Sequence, residues 1–148
     1  MARLSMCMFF VPLVLCGCDD SVPPTFTLDG EWAYSFFAVH PDTCQVPGLV
    51  QGCSGAGTMH LIQSKSILGG SYTERSGCQS CGVAFDFGGS GTLSSATLSE
   101  MTFMFTINNC RFTAEMPGEA TDEITGEVEC RISAELQALG TWSMTRSR

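Results

Sequence analysis

The sequence runs to 148 residues and carries a net charge of −8. That length bounds it to a single domain. Basic residues are few and scattered, and Lys65 is the only lysine. Such a distribution excludes a nucleic-acid surface and a polybasic membrane patch, which both need clustered Lys and Arg. Membrane contact is therefore expected through covalent lipid.

The chain opens with Arg3 as a short positive region, followed by an apolar run from Met6 to Leu15. Such a run is too short to span a bilayer, which takes about 20 residues, and reads as a signal-peptide helix over 1–17. It ends in Leu15-Cys16-Gly17-Cys18, which resembles the lipobox of bacterial lipoproteins. The resemblance implies cleavage after Gly17, a thioether lipid on Cys18, and residence in the cell envelope, facing the periplasm or the cell surface. An ordinary secretory signal with an incidental Cys18 is the competing reading. Asp19, next to the lipidated position, resembles an inner-membrane retention signal of enteric bacteria, but the choice between inner and outer membrane stays open. Residues 18–27, with Pro23-Pro24, read as a tether, and 28–148 as the folded domain.

In that domain, short apolar alternations are broken by Gly, Ser and Asn, the pattern of an all-β protein. In chain order they are Trp32–Phe36, Met59–Leu61, Ile67–Glu74, Val83–Phe87, Met101–Ile107, Arg111–Met116, Ile124–Ile132 and Trp142–Met144. Ala134–Leu139 fits either a short helical turn or a loop. About eight antiparallel strands with one apolar face close naturally into an up-and-down barrel, which removes exposed edges; a sandwich is the alternative.

Six cysteines follow Cys18: Cys44, Cys53, Cys78, Cys81, Cys110 and Cys130. In an exported chain an even count reads as disulfides. A hairpin centred near residue 120 sets Cys110 opposite Cys130, both on the apolar parity of their strands, within disulfide reach. Cys44 and Cys53 bracket a Pro- and Gly-containing stretch and are expected to close it. Cys78 and Cys81 form a Cys-Gln-Ser-Cys whose expected role is a structural turn disulfide. A redox pair would sit at a helix N-terminus, and a zinc site would need a second half.

Gly30-Glu31-Trp32 on the first strand and Arg146 on the last resemble the corresponding residues of lipocalin-like (calycin) barrels. The resemblance implies that Arg146 crosses the indole face of Trp32 and clasps the first strand to the last, with Gly30 permitting a tight entry turn.

No catalytic, phosphate-binding or metal-ligand motif appears, and His40 and His60 have no nucleophile arranged beside them. Asp122, Glu123, Glu127 and Glu129 read as a solvated strand face. Met59, Met101, Met104, Met116 and Met144 read as core filler. The expectation is a non-catalytic protein without metal or cofactor. It is either a structural or protein-binding envelope protein, including an inhibitor of an envelope hydrolase, or a carrier of a small apolar ligand inside the barrel.

Overall fold

The computed structural model describes residues 27–40, 51–64, 67–80, 82–99, 101–119, 121–134 and 136–148. The expected signal helix, the expected lipid site Cys18, and Cys44 and Cys81 lie outside the described residues.

The described chain is all-β. Its strands are β1 (Gly30–Val39), β2 (Gly52–Ser64), β3 (Ile67–Ser80), β4 (Val83–Asp86), β5 (Gly89–Thr92), β6 (Ser94–Leu98), β7 (Thr102–Ile107), β8 (Cys110–Glu115), β9 (Glu123–Arg131) and β10 (Gln137–Arg146). The ladder runs β4-β3-β2-β1-β10-β9-β8-β7-β6, and β5 attaches to β3. Every pairing is antiparallel, as short connections require.

The sheet is thus a curled half-barrel of nine strands plus β5, where the sequence suggested about eight strands in a closed barrel. Its ladder opens in mid-chain rather than at the termini, because β4 and β5 both pair with β3 while β6 pairs with β7. The two sides of this seam are joined by Leu93 N–H donating to Gly70 O at 3.0 Å. Strands β5 and β6 come from a Gly- and Ser-rich run with little side-chain signal, and β6 carries a register shift between Ser94 and Thr97. Gln137–Leu139, read as part of a helical turn or loop, begins β10 instead and pairs with β9.

Alternation sends one face inward. Trp32, Tyr34, Phe36 and Ala38 of β1 are buried, while the residues between them are exposed. Phe112 lies at the centre of the core, with its ring 5.1 Å from Phe105, 5.3 Å from Phe36 and 5.8 Å from Trp142. Edge-to-face and offset aromatic pairs add about 0.5–1.5 kcal/mol each beyond their burial. Trp142 also donates its indole N–H to Thr113 O at 3.1 Å. Of the methionines, Met59 and Met144 are core, but Met101 precedes β7 and is 77% exposed. Phe85, in the Val83–Phe87 alternation, is 43% exposed because its strand lies at the end of the ladder.

Candidate functional site

One end of the half-barrel is shut by the first and last strands. Trp32 lies directly across the ladder from Arg146, whose guanidinium carbon sits 4.4 Å from the indole centroid. Arg146 donates to Asp29 O at 2.5 Å and Thr27 O at 2.9 Å, and Trp32 Nε1 donates to Leu28 O at 2.9 Å. The entry segment is therefore folded over this end, and Leu28 is fully buried. Gly30 makes the fold-over possible: its φ is +125°, and a Cβ there would lie 3.0 Å from the guanidinium.

The opposite end is stapled. Cys110 and Cys130 face each other across β8–β9 and form a disulfide with a Cα separation of 4.0 Å. The other described bridge joins Cys53 to Cys78, correcting both remaining expectations: Cys53 does not pair with Cys44, nor Cys78 with Cys81. The reason is register. β3 continues to Ser80, so Cys78 stands on a strand rather than in a connection, directly opposite Cys53. Ala38, beside Cys53, and Ala138, beside Cys130, are the small buried residues between the two staples.

Between the ends lies a polar cluster that sequence reasoning passed over. Glu74 is 5% exposed. It accepts hydrogen bonds from Tyr34 Oη at 2.5 Å, from Asn108 Nδ2 at 3.0 Å, and from Ser76 Oγ. Asn108 also donates to Phe87 O at 3.0 Å, so its side chain crosses the open seam. It can do so because it sits in the β7–β8 hairpin turn at φ +51°, a conformation Asn tolerates better than most residues. Gly57 stands between Tyr34 and Glu74 in the ladder, and a Cβ there would meet Thr73 O at 2.0 Å. Burial, the hydrogen bond to Glu74 and the carboxylate's charge, in that order, push the Tyr34 phenol well above its ordinary range, so it stays a donor. With three donors from its own chain, Glu74 bolts β1, β3 and the β7–β8 turn together. The signal that could have found it is parity: Glu74 and Ser76 share the inward phase of Cys78.

An open groove of about 950 Å³ lies over β2, β3 and β4. Its floor is small residues such as Ser54, Ala56 and Gly77, and Phe37, Arg75, Phe85 and Asp86 border it. Phe37, Val39 and Leu139 form an exposed apolar strip on neighbouring β1 and β10. His40 is buried while His60 is exposed on β2, so the two share no site. Among the described residues, no three His, Cys, Asp or Glu side chains converge to hold a metal. The acidic residues of β9 lie outward or half-buried, and Glu129 pairs with Arg111.

No family model matches the chain, and neither the curated proteins nor the solved structures include a match to it.

Proposed function

We propose that the chain is an exported, lipid-anchored envelope protein without a catalytic role, which works through its outer surface in a structural or protein-binding capacity. The carrying observation is where space lies. Phe36, Phe103, Phe105, Phe112 and Trp142 pack the concave side, whereas the 950 Å³ groove opens outward beside the exposed Phe37. A carrier of an apolar molecule would place its pocket inside. The lipobox-like Leu15-Cys16-Gly17-Cys18 supports the anchor, and the paired cysteines suit an oxidising compartment. The curl, the pairing of first with last strand, and Arg146 over Trp32 support a lipocalin-like kinship.

The test is native mass spectrometry of the mature protein purified from its own envelope. The expected species begins at an acylated Cys18, retains its disulfides, and carries a protein partner that Phe37→Glu releases. A co-purifying small apolar molecule in place of a protein would favour carriage. An intact precursor with reduced thiols would remove the envelope reading altogether.

A further inference from the structure

We propose that the tip of the β2–β3 hairpin, with the β6–β7 turn beside it, seats on the lipid surface that holds the chain through Cys18. This inference rests on the lipid-anchor reading and adds an orientation to it. Ile62 and Ile67 are 56% and 69% exposed, and Met101, before β7, is 77% exposed. Ile62 and Ile67 have the same outward parity on adjoining strands, Ile67 opposite Ser64 and Ile62 opposite Gly69. The curl brings β6 against β3, so the β6–β7 turn comes to the same edge.

The entry segment is tied to this hairpin. Leu28 N–H donates to Gln63 Oε1 at 2.8 Å, and Gln63 N–H donates to the Asp29 carboxylate. The first described residue, Thr27, thus emerges at the end that bears the exposed isoleucines. It stands nine positions after Cys18, a reach of about 30 Å when fully extended. A lipid on Cys18 therefore confines this end, not the disulfide end, to the neighbourhood of the membrane. Apolar side chains held there leave water for the interface at the additional cost of little tether entropy. Glu115, Asp122 and Glu123 are exposed at this same end around the β8–β9 connection. An anionic surface repels them, so the domain leans on its β2–β3 edge.

The test uses the oxidised mature chain with isotope-labelled Ile and Met methyls, anchored in phosphatidylethanolamine–phosphatidylglycerol nanodiscs that carry a nitroxide near the top of one acyl chain. The expected result is that the Ile62, Ile67 and Met101 methyls lose most of their signal, while the buried Ile107, at the stapled end, keeps its own. In Ile62→Ser/Ile67→Ser, Met101 should recover. Equal signals from all methyls, or contact shifts at Ile62 and Ile67 that depend on protein concentration without lipid, would overturn the proposal, the latter in favour of a second copy. Acylation is read separately from the mass of the N-terminal peptide. If Cys18 proves unacylated, the same chain is coupled through that thiol to a maleimide headgroup, so that anchor and docking contact fail independently.

Discussion

The two ends of the half-barrel solve one problem in different ways. Each must hold neighbouring strands together where the ladder runs out. The Trp32 end does so with an indole under a guanidinium and with donors aimed at the backbone of the entry segment. Large side chains fill it, among them Trp32, Met59, Leu61 and Met144. The far end has Ala38 and Ala138 in place of bulk and relies on two covalent bridges, Cys53–Cys78 and Cys110–Cys130. A packed end needs no staple. At the stapled end Ile107 is the large buried side chain beside Ala38 and Ala138, and cross-linking adds to this smaller apolar burial by restricting the unfolded chain.

If that contrast is right, losses should be largest at the stapled end. Replacing either cysteine pair with alanine removes a bridge spanning 25 or 20 residues, and should cost about 3 kcal/mol in denaturant unfolding. Arg146→Ala removes the cation–π contact and two hydrogen bonds together and should cost about 1–3 kcal/mol by the same measurement. Arg146→Lys should recover little, because an ammonium cannot present the flat fork that reaches both carbonyls.

Tyr34→Phe strips one donor from buried Glu74 and should cost about 1–2 kcal/mol. Its pH signature is distinct. The phenol is harder to ionise in the folded than in the unfolded chain. The stability this difference contributes is present below the unfolded pKa, about 10, and is lost as pH rises above it. Wild type should therefore destabilise over that alkaline range more steeply than Tyr34→Phe, as read from unfolding midpoints. Arg111→Ala should do least. Its ion pair with Glu129 is 55% and 26% exposed on the two sides, so the change in midpoint should stay within about 0.5 kcal/mol.

Much of this was legible in the sequence where side chains alternate strongly. Trp32-Tyr34-Phe36 and Phe103-Phe105-Ile107 announce their buried faces, and Cys110 with Cys130 could be matched because a single turn sets the register of both strands. The clasp of Arg146 over Trp32 came instead from the resemblance of Gly30-Glu31-Trp32 and Arg146 to lipocalin-like barrels, not from alternation or register. What stayed hidden lies where alternation is weak. The stretch 67–80 contains three glycines and two serines before Cys78, so nothing marked β3 as continuing past Glu74. That concealed length is why the Cys53–Cys78 register could not be read. Glu74 gave no sign of its burial because its donors are distant in sequence: Tyr34 lies 40 residues away and Asn108 lies 34 away. Such a carboxylate is recognisable only once the seam it spans exists.

The stapled end admits one direct measurement: non-reducing peptide mapping of the mature protein with free thiols blocked at acidic pH. Fragments linking Cys53 to Cys78 and Cys110 to Cys130 are predicted. Recovery of Cys53 joined to Cys44, or of Cys78 joined to Cys81, would place the bridges within loops instead of across the sheet and contradict the register on which the contrast between the ends depends.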